Sequence, residues 1–366
     1  MDYKAVFKDK LNKLLFLEID KEGFKRAINI PEYISFKSKD LFVPISSEYI
    51  TSNIDDKIKI ENLPIYYFIE GMLLTLGADK NIGYADDYKL LLMQISQSEE
   101  CGKSLVAQRV KEERLEDAYL LLKGLLQTYE DEEYMKKLLL IGITIRDKDS
   151  GFEEILLEDI DEAKDLFNKM KEPYLYKGII LKDKGDYVGA KVEINEYLRR
   201  GGEQTPDIEM LMNDIENITT YEKAVDLIEE KPEKSIEMFL SLLEKFEDNP
   251  LIYYYLGVCF RRINKFDKAI YYLRESLKLE SGILDVVNEL GLNYACIGEY
   301  EEAIKYFKKA FEASKEVEIC TNIIMCYLNL GNLKDAKLHL EIAKKLNKDD
   351  EIVKKIEKAI SKEENK

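Results

Sequence analysis

The residue types that most often perform catalysis or bind metals are sparse in this chain of 366 residues. The one histidine, His339, lies between Leu338 and Leu340, and neither a cysteine nor a second histidine stands at ligand spacing from it. A lone imidazole in an apolar run is typical of a structural residue. The sequence also contains no glycine-rich nucleotide-binding loop and no nucleophile-elbow serine. We therefore predict a protein that is not an enzyme and that needs no metal and no cofactor.

The five cysteines predict buried, reduced thiols. Cys320 and Cys326 are six residues apart, which matches no common ligand pair. Most of the five cysteines, which also include Cys101, Cys259 and Cys296, fall among apolar positions of predicted helices. Reduced thiols are typical of the cytosol. The chain shows no signal-peptide pattern and no run of about 18 apolar residues. We therefore expect a cytoplasmic protein that does not span a membrane.

The net charge of −17 is unevenly distributed, because nearly all of the acidic excess lies before residue 250. Phosphate binding needs a basic face, so this balance disfavours a nucleic-acid partner. An acidic N-terminal part is compatible with a solvated surface or with a basic partner. The Lys-, Glu- and Ile-rich composition suggests a bacterial source.

A small residue, a turn residue and an alanine recur four times, with steps of seven and then five residues. The sets are Gly178-Gly185-Ala190, Gly257-Asn264-Ala269, Gly291-Gly298-Ala303 and Ile324-Gly331-Ala336. The last three sets begin 34 and 33 residues apart. A fixed period of this size predicts an array of stacked two-helix units, each burying its neighbour's apolar stripe.

Residues 250–283 illustrate one unit. A first helix begins at Pro250, since proline is well tolerated in a first turn. Asn264 ends this helix because asparagine, like glycine, tolerates the left-handed conformation. A second helix from about Phe266 carries an apolar face. The small residues Gly257 and Ala269 allow the two backbones to approach closely.

These offsets resemble those of the tetratricopeptide repeat family, whose unit of about 34 residues places Leu-Gly, an aromatic residue, Ala and Phe at the same positions. The tryptophan often found early in that pattern is replaced here by Tyr174, Tyr253, Val287 and Cys320. The resemblance implies an all-α fold, a right-handed superhelical solenoid of antiparallel helix pairs. Near the N-terminus we expect a short irregular or small β element in addition.

The pattern divides the chain into six segments. They are an N-terminal helix (2–17) with an irregular or extended segment (1–61 in all), divergent helical repeats (62–170), one clear repeat (171–200), a hinge with irregular helices (201–249), three repeats (250–347) and a capping helix (350–364). Residues 30–61 read equally as a small hairpin or as an ordered strap. We further predict a helix from Pro64 that stops at Gly77, an insertion over 147–159, and helices near 206–216, 218–230 and 232–246.

Two runs of tyrosine, 253–255 and 271–272, cannot all face one core, because adjacent helical residues point in different directions. One or two of these rings should reach the surface, where tyrosine is a good binding anchor.

The resemblance also implies a binding site, because first helices of successive repeats line a concave groove in such proteins. The residues expected there are Tyr176, Ile179, Lys182, Tyr254, Tyr255, Val258, Arg261, Arg262, Asn288, Glu289, Leu292, Asn322, Met325 and Asn329. Asparagine amides can hydrogen-bond an extended peptide backbone. We therefore expect a scaffold or adaptor that binds a peptide or another protein. The alternative is a peptide-responsive sensor whose repeats control an N-terminal effector region.

Overall fold

A computed structural model describes residues 1–28, 30–31, 33–46 and 64–364, and the chain divides into two compact units, 1–212 and 213–366. The helices are α1 (Tyr3–Asn12), α2 (Lys21–Ala27), α3 (Ile65–Ala78), α4 (Ala85–Gln94), α5 (Ser98–Lys111), α6 (Leu115–Tyr129), α7 (Glu132–Lys148), α8 (Glu153–Leu166), α9 (Glu172–Asp183), α10 (Tyr187–Arg199), α11 (Pro206–Asp226), α12 (Pro232–Leu243), α13 (Pro250–Arg262), α14 (Phe266–Leu279), α15 (Leu284–Cys296), α16 (Tyr300–Ser314), α17 (Val317–Asn329), α18 (Leu333–Leu346) and α19 (Glu351–Glu364). Two short strands are added to these helices in the described residues, so the predicted helical fold class with a small N-terminal β element is confirmed.

The first unit contains a two-stranded antiparallel sheet where the sequence predicted the end of a helix. Strand β1 (Leu14–Ile19) pairs antiparallel with β2 (Leu41–Ser46), so the predicted helix over 2–17 is wrong beyond Asn12. Leu41, Val43 and Ile45 are buried on one face of β2. Side chains alternate between the two faces of a strand, so these three apolar side chains share the face that packs against the adjacent helix. This burial fixes the register of the strand pairing. Neither interpretation of 30–61 describes β2, because its partner strand is β1 outside that segment, and Ile58-Lys59-Ile60 lies outside the described residues.

Close backbone packing in the first unit explains two of its glycines. Gly77 does not stop α3 but lies inside it, and a Cβ there would stand 1.9 Å from the carbonyl oxygen of Leu120 on α6. Gly124 on α6 faces the carbonyl oxygen of Leu73 on α3 in the same manner, at 2.1 Å. The helix ends at Ala78, one residue beyond the predicted stop. The glycine itself is required by the contact between the two helix backbones and not by the helix end.

Two further boundaries differ from the sequence prediction. The expected insertion over 147–159 is reduced to the short 3-10 turn Ser150–Phe152, and α8 already begins at Glu153. Phe152 is fully buried against the rings of Tyr3 and Tyr119, which holds this turn in the core. The second difference lies after residue 205, where one helix, α11, replaces the two predicted near 206–216 and 218–230. Helix α12 begins at Pro232 as predicted.

The second unit contains three antiparallel helix pairs, α13–α14, α15–α16 and α17–α18, followed by α19. The turn residue of each pair is left-handed, with φ of 57° at Asn264, 84° at Gly298 and 71° at Gly331. The alanines at the third position of each set are fully buried. The repeat pattern is thus confirmed. Helix α19 covers the last pair by burying Val353, Ile356 and Ile360.

Candidate binding face

The first helices of the three pairs lie side by side, since α13 contacts α15 and α15 contacts α17. Their partly exposed side chains form what we call the groove face. It consists of Tyr254, Arg261, Asn288, Leu292, Cys296, Asn322, Met325 and Asn329. The period of 33 to 34 residues places these side chains in register, because each repeat presents the same helix positions to its neighbours.

A cleft of about 230 Å³ opens on the groove face between α15, α16 and α17. Its lining comprises Leu292, Ala295, Cys296, Tyr300, Phe307, Asn322, Met325, Cys326 and Asn329. The predicted residues Leu292, Asn322, Met325 and Asn329 therefore come together, and Met325 is 47% exposed. Tyr300 and Phe307 belong to the second helix α16.

The two asparagines of the cleft differ in their hydrogen bonding. The Asn329 amide nitrogen donates to the carbonyl oxygen of Met325 at 2.8 Å, which leaves its amide oxygen as an acceptor. Asn322 makes no side-chain hydrogen bond to any other described residue. A side-chain amide has two donors and an acceptor oxygen. The cleft can therefore take an apolar side chain while an adjacent amide bonds the main chain that carries it.

Arg261 on α13 and Glu289 on α15 are bound to each other across the face. The Arg261 guanidinium donates two hydrogen bonds to the carboxylate, at 2.7 and 3.0 Å. Burial lowers the pKa of Arg261, but the bonds to Glu289 outweigh this, so that its pKa is raised above the ordinary value. The two predicted contact residues thus neutralise each other. Burial, with a smaller effect of Glu289, raises the pKa of the neighbouring Tyr254 to about 12, so this phenol is neutral.

Three predicted residues of α13 lie outside the open face. The ring of Tyr255 stacks on Phe239 with a centroid distance of 5.4 Å, and Val258 is buried in the same cluster. Arg262 is exposed and bonded to Glu229. Helical spacing alone could not show that these positions differ in exposure from Tyr254 and Arg261. The packing of α12 against α13 decides which side chains of α13 are buried.

Asn288 lies on the groove face, and its amide oxygen is buried without a hydrogen-bond partner in the described residues. Asn293, which the sequence reasoning did not single out, is fully buried; its amide nitrogen donates to the Glu289 carbonyl oxygen and its amide oxygen is likewise unpartnered. Two such amides on one helix are a feature of α15 that hydrophobic periodicity does not reveal.

Tyr176, Ile179 and Lys182, the other predicted residues, lie on α9 of the first unit and are all half-buried. Burial raises the pKa of Tyr176.

The tyrosine runs behave as predicted, since Tyr271 is 58% exposed whereas Tyr255 is packed. The Nδ1 atom of His339 lies 3.0 Å from the carbonyl oxygen of Asp335.

The chain is similar to known repeat proteins over part of its length. Residues 284–316 match the family profile of the tetratricopeptide repeat. The chain is 29% identical over 116 residues to the TPR repeat-containing protein MJ1428 of Methanocaldococcus jannaschii, covering 31% of this chain and 20% of that protein. It is 32% identical over 111 residues to the BBSome complex member BBS4 of Bos taurus, covering 30% and 21%. The chain thus spans about a fifth of the length of these relatives.

Solved structures show a similar pattern of coverage. The MamA protein shares 20% identity with a TM-score of 0.36, covering 48% of this chain and 90% of MamA. YrrB, described as a TPR protein with an unusual peptide-binding site, shares 17% identity with a TM-score of 0.37, covering 55% of this chain and 99% of YrrB. Among the described residues of this chain, no helix has the length and apolar character needed to cross a membrane.

Proposed function

Because this chain is a tetratricopeptide repeat protein, we propose that it is a non-enzymatic scaffold that binds an extended segment of another protein along the groove face. The observation that carries the proposal is the cleft of about 230 Å³, bordered by the unengaged amide of Asn322 and the half-exposed side chain of Met325. An extended peptide is recognised by main-chain hydrogen bonds together with pockets for individual side chains. The cleft supplies one pocket and one amide at the same place.

The charge of the groove face indicates which segments it accepts. The cleft itself is lined by uncharged side chains, and Arg261 and Glu289 beside it neutralise each other. Burying a charged side chain of the peptide here would cost desolvation free energy without an opposite charge in return. We therefore propose that the bound segment places an apolar side chain in the cleft and carries no charge beside it.

Selection of random displayed peptides on the full chain tests this proposal. Peptides that bind should lose about 10-fold in affinity, or about 1.4 kcal/mol, on Asn322→Ala or Met325→Ala. Matched controls are Asn195→Ala and Met210→Ala, which change exposed residues elsewhere. Equal losses in test and control variants, or no loss in the test variants, would place the site off the groove face.

A regulatory role is the second candidate, supported by the division of the chain into two compact units with different contents. Deleting residues 1–61 is a poor test, because Tyr3, Phe7 and Val43 belong to the core of the first unit. Hydrogen exchange of the full chain is better suited. A change of amide protection in residues 1–212 when a selected peptide binds at the groove face would support the sensor role. Protection changes confined to α13–α17 would support the scaffold role.

We also propose a cytoplasmic location in a bacterium. None of the five cysteines forms a disulfide in the structure, which supports a reducing compartment. The Lys-, Glu- and Ile-rich composition supports the bacterial source. Fractionation of the native cell with a thiol-labelling reagent tests the location.

A further inference from the structure

A second concavity lies at the helix ends of the second unit, between the segment 245–251 and the residues that join α14 to α15. Its volume is about 820 Å³. The lining residues, which we call the loop-end surface, are Lys245, Phe246, Glu247, Asp248, Asn249, Pro250, Leu251, Glu280 and Ile283. None of them lines the cleft of the groove face. The proposed function therefore leaves this surface without a role.

The loop-end surface carries an uncompensated negative charge. Glu247, Asp248 and Glu280 are exposed, and none of them forms an ion pair with another described residue. Its one cationic side chain, Lys245, donates to the amide oxygen of Asn217 at 2.9 Å. The pKa of Tyr253 next to the surface is raised first by burial, then by Glu275 and Tyr271, and to a smaller extent by Glu247 and Asp248.

Apolar side chains are exposed among these acids. Phe246 is 42% and Leu251 43% exposed, and Leu279 beside Glu280 is exposed to the same extent. A single exposed apolar residue needs no explanation, but several together around one concavity are typical of an interaction surface.

The framework of this surface is fixed before any partner binds. The Asn249 side chain caps α13 by accepting a hydrogen bond from the Leu251 amide at 3.0 Å. The Ser276 hydroxyl on α14 donates to the carbonyl oxygen of Pro250 at 2.8 Å. Since the loop is tied to two helices, little ordering entropy is lost on binding.

We infer that the loop-end surface docks a cationic amphipathic segment of a partner protein. Arginine side chains of the segment meet Glu247, Asp248 and Glu280, while its apolar side chains lie against Phe246 and Leu251. Charge complementarity selects this occupant, because an acidic segment would be repelled by all three carboxylates. An uncharged segment would leave these carboxylates desolvated without a partner.

A labelled synthetic peptide tests the charge requirement. The probe is a fluorescein-labelled peptide of about 14 residues with leucine and arginine at helical spacing, and its control carries glutamine in place of arginine. The full chain should bind the first peptide and not the second in fluorescence anisotropy. Failure of the arginine peptide to bind at millimolar protein would overturn the inference.

Neutralising variants locate the charge. The triple variant Glu247→Gln, Asp248→Asn, Glu280→Gln should bind the arginine peptide about 10-fold more weakly and with a shallower salt dependence. The control triple Asp267→Asn, Glu299→Gln, Glu301→Gln removes the same charge from exposed positions at the starts of α14 and α16. It should bind normally. Equal weakening in both triples would mean diffuse attraction to an acidic chain and would overturn the inference.

An apolar variant separates docking from pure electrostatics. Leu251→Ser should weaken binding several-fold without changing its salt dependence, whereas Leu338→Ser, an exposed leucine on α18, should not. Binding unchanged by Leu251→Ser would refute the docking geometry. Asn322→Ala with Met325→Ala should leave this peptide's affinity intact, since those residues belong to the groove face.

Discussion

Arg261 and Glu289 join two successive repeats through a pair of hydrogen bonds at 2.7 and 3.0 Å, with both side chains largely buried. The sequence pattern had assigned both residues to partner contact. Their pairing instead makes them a link between α13 and α15, and it removes two charges from the groove face.

This link predicts the effect of breaking it. Glu289→Leu leaves Arg261 buried without its partner and should lower the free energy of unfolding by about 3 kcal/mol. The double variant Arg261→Met, Glu289→Leu should recover most of this loss, because an apolar pair of similar volume needs no desolvation of charge. Urea denaturation of the three chains measures both effects. A double variant as unstable as the single one would contradict the assignment.

The backbone contact between α3 and α6 predicts a strong effect at Gly77. A Cβ there would lie 1.9 Å from the Leu120 carbonyl oxygen, so Gly77→Ala should cost about 3 kcal/mol of stability. Gly83 is the matched control, because nothing lies within 4 Å of its added Cβ. Thermal unfolding followed by circular dichroism should show a clear fall in Tm for Gly77→Ala and little change for Gly83→Ala.

The buried carboxylate of Asp117 predicts an acid sensitivity of the first unit. Burial raises its pKa, but Lys10 and Arg114 outweigh this, so its pKa lies below the ordinary value of 3.8. A depressed pKa stabilises the folded chain above about pH 3.8, and this contribution is lost as pH falls through the folded pKa. The stability gap between wild type and Asp117→Asn should therefore be largest near neutral pH and narrow below pH 3.8. A gap that widens in acid would contradict the assignment.

The cysteines predict a graded thiol reactivity. The prediction of buried thiols is wrong for Cys296, which is exposed at the cleft, whereas burial raises the pKa of Cys320 and of Cys326 to about 11. A thiol reagent at pH 8 should modify Cys296 first and the two buried thiols only on unfolding, because the thiolate is the reactive form. Cys296→Ser should remove the fast phase. A peptide that occupies the cleft should slow it, which provides a direct readout of the proposed site.

The repeats could be predicted from the sequence because one period sets both the turn and the packing positions. Asn264 shows this well: its left-handed φ of 57° follows from its correspondence with Gly298 and Gly331. The pairing of β1 with β2 in the first unit could not be predicted in this way. Leu14, Leu15 and Leu17 fit a helical stripe as well as a strand, and pairing with residues 41–46, about 30 positions later, decides between them.

For the candidate site, the family resemblance implied that Leu292, Asn322, Met325 and Asn329 share one face, and the structure brings them into one cleft. The resemblance did not reveal that Tyr255 stacks on Phe239, because that contact depends on how α12 lies against α13. The loop-end surface was not foreseen either, since most of its residues connect helices, where no periodic pattern applies.

The glycines that face a neighbouring helix fall into two groups with different tolerance to change. In the first unit Gly77 and Gly124 face main-chain atoms. A compensating substitution in the neighbouring helix cannot make room for a side chain there, because every residue keeps its main-chain atoms. In the repeats Gly257 faces the side chain of Leu273, and Gly291 that of Phe307. There a smaller neighbour can accommodate a larger residue, and the fourth repeat already carries Ile324, fully buried, at the corresponding position. Over evolutionary time the repeats can therefore diversify through compensating pairs, while the junction between α3 and α6 must keep both of its glycines.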